Sequence, residues 1–275
     1  MIQHVKKKLW LALGAAGLTL AVAAQAAPLK IGVSAVTAPS LEATAAEARK
    51  QGLDVEVIEF SDWTTPNEAL ASGDLDANYF QHLPFLENAV KVRGYRFKVA
   101  DVGFLMNVGV FSKSIRSLDA VPDGATVSVY DDVTNQGRQL LFLQKLGLIK
   151  LKNPEDSFST VYDITENPRK LKFVEIPGPQ LARALDDVDL AVGAPLFFVA
   201  AGRSDVASSG LAYSGAEDEK YAIHFVVRDG EPADPRLQQV IRIYQDSPVV
   251  RAQIHESLGK DEKLYTLPWL EKPPR

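Results

Sequence analysis

Short β-branched runs alternate with alanine- and leucine-rich helical runs along most of this chain, and that alternation restricts its fold more than any other feature. Residues 29–35 read as a strand and 41–50 as a helix, with Gly52 placed to end it. Residues 55–60 form a second strand. Thr65-Pro66-Asn67-Glu68 then has the form of a capping box with proline at the first helical position, and Gly73 closes that helix. A third strand is expected near 75–77, then a helix over 84–93 stopped by Gly94. Further along, 125–130, 172–176, 188–192 and 221–228 read as strands, and 134–146, 180–185, 237–244 and 249–258 as helices. This order predicts an α/β fold with parallel sheet. The polar stretch 153–169 is expected as surface loop with a short helix, and the proline-bearing tail 268–275 as loosely packed.

The N-terminus carries a separate signal. Lys6, Lys7 and Lys8 precede an apolar run of roughly 15 residues, which ends on Ala24-Gln25-Ala26. That is the pattern of a secretory leader, with cleavage expected after Ala26. The run is shorter than the ~20 residues a spanning helix needs, although an uncleaved anchor is the alternative. Export to the periplasm follows. A leader of 26 residues leaves 249, enough for two lobes, and no stretch resembles a flexible linker. Two lobes joined by paired crossings fit that absence, with binding in the cleft at the carboxyl ends of strands. The formal charge is −5, and losing the three leader lysines would make it −8, which argues against nucleic acid or an anionic membrane as partner. The chain has no cysteine, which excludes thiol catalysis, cysteine-based zinc sites and a lipid anchor on cysteine.

Candidate site residues concentrate in the stretch 59–86. Tyr79, Phe80 and Phe85 cluster beside a strand end, where they could wall a pocket for a small amphiphilic ligand or simply fill core. His82, at the start of the next helix, could bond a ligand or be a satisfied structural histidine. Arg138 lies in the first turns of a helix opened by Asp131-Asp132-Val133-Thr134-Asn135. A cation there opposes the helix dipole, so an anion should compensate. Asp131 or Asp132 would do so, as would a ligand carboxylate held bidentately. No hydrolase, phosphate-loop or metal motif is visible, and His4, His82, His224 and His255 have no metal-ligand spacing. Catalytic residues, cofactors and metals are therefore not expected.

The stretch 59–86 resembles the methionine-binding lipoprotein family (MetQ/NlpA type), the substrate-binding components of methionine ABC importers. Asp123-Gly124-Ala125-Thr126, Thr134-Asn135-Gln136-Gly137-Arg138, Asn167-Pro168, Gln180-Leu181 and Leu185-Asp186-Asp187-Val188-Asp189 carry the same resemblance over nearly the whole chain after the leader. It implies a two-lobed periplasmic binding fold (type II), each lobe a sheet flanked by helices with the ligand cleft between. One lobe is expected over 28–106 plus 203–275 and the other over 107–202, with hinge strands near 107–112 and 192–198. It implies a non-catalytic solute-binding protein that hands a small amino-acid-like or anionic amphiphilic ligand to an ABC permease and its ATPase subunit. A periplasmic sensor or scaffold that kept the fold is the alternative. Phe80, His82 and Phe85 match the family's aromatic wall, with Phe85 where tyrosine is usual, and Arg138 matches the arginine that takes the ligand's carboxylate. The chain departs from the family at Ala194 and Ile223, where two ligand-holding asparagines belong. It departs again at Val36-Thr37-Ala38-Pro39, in place of a glycine-proline-histidine loop, at Met106-Asn107, in place of Glu-Pro, and in having no lipid-bearing cysteine. His224, next to Ile223, is a candidate for a new polar contact, or a strand residue facing solvent.

Overall fold

The computed structural model describes residues 27–230, 232 and 234–271. The expected leader therefore lies outside the described residues. The chain begins β1 (Leu29–Ser34), α1 (Ala38–Lys50), β2 (Val55–Phe60), α2 (Thr65–Ser72), β3 (Ala77–Gln81), α3 (Leu83–Arg93) and β4 (Phe97–Val102). It crosses through β5 (Leu105–Met106) into β6 (Gly109–Phe111), β7 (Thr126–Tyr130) and α4 (Val133–Lys145). A small antiparallel pair, β8 (Lys150–Leu151) and β9 (Ile164–Glu166), precedes β10 (Lys172–Ile176), α5 (Leu181–Ala184), β11 (Leu190–Gly193), α6 (Leu196–Ala200), α7 (Ser204–Ser208) and β12 (Ala212–Tyr213). The chain returns through β13 (His224–Arg228), α8 (Pro235–Asp246), α9 (Pro248–Ser257), β14 (Tyr265–Thr266) and α10 (Pro268–Glu271).

Two five-stranded sheets result, ordered β2-β1-β3-β13-β4 and β10-β7-β11-β6-β12. Both are mixed rather than wholly parallel. In the first, β1 runs parallel to β2 and β3, but β13 enters antiparallel between β3 and β4. In the second, β7 is parallel to β10 and β11, while β6 is antiparallel to β11 and β12. Each sheet has its own core. Leu29, Ile31 and Val33 of β1 pack with Leu41, Ala45 and Ala48 of α1 and with Val240, Tyr244 and Ile254 of α8 and α9. Val127 and Val129 of β7 pack with Leu140 and Leu143 of α4, and Phe111, Leu181 and Phe198 fill a second cluster beside them. The molecule is thus an α/β protein of two lobes.

Several expectations shift. The third strand is Ala77–Gln81, not 75–77, because Leu75 turns into the core and the Asp76 carboxylate takes the Lys30 N–H at 2.8 Å. All five residues of β3 are buried, so it shows no alternation, and its polar Asn78 and Gln81 are satisfied by Asn67 instead of water. The capping box at Thr65 does not form. Asp62 accepts from the backbone of Thr64 and Thr65, each at 2.7 Å, and caps that helix from outside. Ala212–Tyr213, expected with the first lobe, pairs with Gly109–Val110 in the second sheet, where Tyr213 packs on Phe111. The chain therefore crosses back after 213, not at 203. Val192 and Phe198, expected near a hinge, lie in β11 and in the buried face of α6. The start of the tail is not loose: Pro268 is buried, and Trp269 donates to the Gln245 carbonyl at 3.1 Å while packing on Tyr244.

Candidate ligand-binding site

Between the sheets lies a cavity of about 70 Å³. One water needs roughly 10–15 Å³ on that measure, so the space suits a small molecule and not a folded partner. Its wall is built from the carboxyl ends of parallel strands in both lobes. Ser34 ends β1, Phe80 and Gln81 end β3, Tyr130 ends β7, and Ala194 follows β11. This is where an open α/β sheet leaves a crevice, since each strand there hands over to a helix or a crossing. Trp63, Phe85 and Phe197 close the apolar side, and Met106, Val108, Tyr221 and Ile223 come from the crossings or beside them. Phe85 stands edge-on to both Trp63 and Phe80, with ring centroids 6.4 and 5.9 Å apart.

Phe80 and Phe85 line the cavity, but Tyr79 does not. Successive side chains of a strand point to opposite faces, and Tyr79 faces the core. It is stacked on Phe225 at 4.3 Å, and its hydroxyl lies 2.5 Å from that of Tyr244. Gly103 must lack a side chain here, because a Cβ would come within 2.3 Å of the Tyr79 hydroxyl.

His82 lines the cavity, yet both of its ring nitrogens are taken. Nδ1 accepts the Phe85 N–H at 3.2 Å, capping α3, and Nε2 donates to Asn135 Oδ1 at 3.1 Å. The two bonds together require the neutral Nε2–H tautomer. Burial, helped by the charge of Arg138, lowers its pKa to about 3 despite the Asn135 bond, so it stays neutral. Asn135 spends itself likewise, with Oδ1 on His82 and Nδ2 on the Asp132 carboxylate at 2.9 and 3.1 Å. His82 and Asn135 thus clamp the N-termini of α3 and α4 together across the cleft. His224 is buried in β13 rather than facing solvent, and it does not line the cavity.

Arg138 is 5% exposed and lines the cavity. Its compensating carboxylate is neither Asp131 nor Asp132 but Asp218, which comes from the return crossing and lies 3.4 Å from Nε and from Nη2. Nη2 also donates to the Met106 carbonyl at 2.8 Å, and the guanidinium lies 4.7 Å over the Tyr221 ring. Burial lowers the Arg138 pKa while Asp218 and Tyr221 oppose that shift, and an arginine keeps its charge under such conditions. Nη1 donates to no protein group among the described residues. Asp132 is half-buried, and that desolvation raises its pKa against the bonds from Asn135 and Thr134.

Tyr130, at the carboxyl end of β7, also belongs to the wall. Its hydroxyl accepts the Ala194 N–H at 3.0 Å, an approach that Gly193 permits because a Cβ there would lie 2.3 Å from that oxygen. An aromatic at a strand's carboxyl end was the signal used for Phe80, and it points to Tyr130 equally. Trp63 lay inside the informative stretch without a motif of its own. Tyr221 and Phe197 have no local signal: the return crossing brings Tyr221 to the cleft, and the packing of α6 brings Phe197. Among the described residues no cluster of His, Cys, Asp or Glu could hold a metal ion, and no helix is long and apolar enough to cross a membrane.

Residues 29–265 match the family model described as NlpA lipoprotein. Outer membrane lipoprotein 2 of Mannheimia haemolytica is 40% identical over 227 residues, 81% of each chain. The D-methionine-binding lipoprotein MetQ of Escherichia coli O157:H7 is 40% identical over 203 residues, 74% of this chain and 75% of that one. Among solved structures, a nutrient binding protein from Burkholderia cenocepacia bound to methionine superposes with a TM-score of 0.78 at 37% identity, covering 87% of this chain and 99% of the other.

Proposed function

The chain belongs to the NlpA lipoprotein family, and because its relatives include D-methionine-binding lipoproteins and an ABC transporter periplasmic substrate-binding protein from Coxiella burnetii, we propose what it captures and where. It binds a small amphiphilic acid, methionine or a methionine-related compound, in the periplasm and delivers it to a membrane permease driven by an ATPase subunit. One observation carries this reading. A guanidinium with one end unspent stands at a small cavity whose other walls are Trp63, Phe80, Phe85 and Phe197. An acid at one end and an apolar body at the other match that wall, and methionine bound in the Burkholderia relative has both.

In this reading one lobe comprises residues 28–103 and 224–258 and the other 109–213, and the segments between them flex as the lobes close. The His82–Asn135 bond would form as a closing contact. The test is a thermal-shift screen of the purified protein against amino acids, their N-acyl and des-amino forms and dipeptides, followed by calorimetry on the hits. An apolar acid is expected to bind with a dissociation constant of about 1 μM or tighter, near −8 kcal/mol. Binding confined to sugars, polyamines or metal ions would overturn the proposal.

A further inference from the structure

We infer that the cavity selects an acid whose amine is blocked or absent, such as an N-acyl amino acid, a 2-oxo acid or a plain thioether carboxylate; this rests on the proposed binding function and narrows its ligand class. The argument is an inventory of the wall. It contains one cation, Arg138, and no Asp or Glu. The carboxylate nearest that cation, Asp218, is not part of the wall. Three donors on the wall are spare. Arg138 Nη1 and Trp63 Nε1 have no protein acceptor among the described residues, and the Tyr130 hydroxyl accepts from Ala194 while its own proton is uncommitted.

The acceptors are neutral, among them the Ser34 and Tyr221 hydroxyls, and the amide and imidazole acceptors each already take a protein donor. Gln81 Oε1 takes the Asn67 amide, Gln139 Oε1 takes the Tyr130 N–H, His82 Nδ1 takes the Phe85 N–H, and Asn135 Oδ1 takes His82. An α-ammonium brings three donors and a positive charge. In this cavity it would lose water, gain no counter-charge and stand near Arg138. An acyl or keto oxygen at the same place brings acceptors to unspent donors. Ala194 and Ile223, 8% and 3% exposed, face the cavity with no side-chain polar atom, so neither can rescue an ammonium.

Calorimetry on the wild-type protein with L-methionine, D-methionine, N-acetyl-L-methionine and the des-amino acid, methylthiobutanoate, decides the matter. The better of the two amine-free probes is expected to bind at least about 30-fold tighter than either methionine, which corresponds to about 2 kcal/mol. Methionine binding as tightly as both would overturn the inference and leave the proposed function standing. If none of the four binds, and no other apolar acid does, the proposed function fails and the inference with it. Ala194→Asn, which places a side-chain carbonyl on the wall, is expected to narrow the ratio at least about tenfold. An unchanged ratio in a folded, acid-binding variant would show that this wall does not set the preference.

Discussion

Tyr79 offers the sharpest test of the division between core and cleft, because it stands beside a cavity residue and was itself a candidate for ligand contact. Tyr79→Phe keeps the ring, and so keeps the stack on Phe225 and the edge contacts with Phe104 and Tyr244. What it removes is the hydroxyl, which bonds Tyr244 at 2.5 Å and receives the Phe104 N–H at 3.4 Å. Both tyrosine hydroxyls are held protonated, because burial raises both pKa values. A net buried hydrogen bond is worth about 0.5–1.5 kcal/mol, and the long bond from Phe104 adds little, so the substitution should cost about 1–2 kcal/mol. For a chain of this length that lowers Tm by about 3–6 °C. Tyr244→Phe should cost a similar amount, since each single change leaves a buried hydroxyl short of a partner. The double variant orphans neither hydroxyl, so its cost should fall short of the sum by about 1 kcal/mol. Thermal and urea denaturation measure all four corners of the cycle, and calorimetry should find ligand affinity unchanged within twofold. If Tyr79→Phe leaves Tm untouched but weakens binding, the hydroxyl reaches the ligand and the core assignment is wrong.

Arg138→Met should weaken binding of an apolar acid by roughly 10- to 150-fold, the equivalent of a charge-assisted bond of about 1.5–3 kcal/mol, and Arg138→Lys should restore little of it. Circular dichroism must accompany that measurement, because Arg138 also holds the Met106 carbonyl and its removal should lower stability. Acid should destabilise the fold through His82. Its pKa falls from 6.5 to about 3 on folding, so below pH 6.5 the unfolded chain takes up a proton that the folded chain refuses. Stability attributable to this residue is then unchanged above about pH 7 and falls by at most about 1.4 kcal/mol per pH unit between about 6.5 and 3. His82→Gln should flatten that limb of a Tm–pH profile; identical limbs in both proteins would locate the acid sensitivity elsewhere. Expression with the leader should yield a soluble periplasmic product beginning at Ala27, and recovery only with membranes, or an N-terminus at Met1, would contradict the export reading.

What the sequence determined by itself is local. Period-two and period-3.6 patterns need only near neighbours, and so α1, α3, α4, α8 and α9 and the strands β1, β2, β7 and β10 were readable within a few residues. Phe80, Phe85 and Arg138, which the family resemblance singles out, line the cavity. The tertiary structure decided partners and faces. Tyr79 and Phe80 are adjacent in an all-buried strand, and only the packing of both sheet faces sends one to the core and the other to the cavity. Arg138 finds its carboxylate 80 residues away in Asp218, and His82 finds Asn135 at a separation of 53, where each partner was sought among near neighbours or in a ligand. β12 joins the second sheet because β6 has a free edge there, a fact about register that two residues of sequence cannot encode. A buried polar atom must be paired, but the requirement does not name the partner. The fold names it, by deciding which distant groups lose water together.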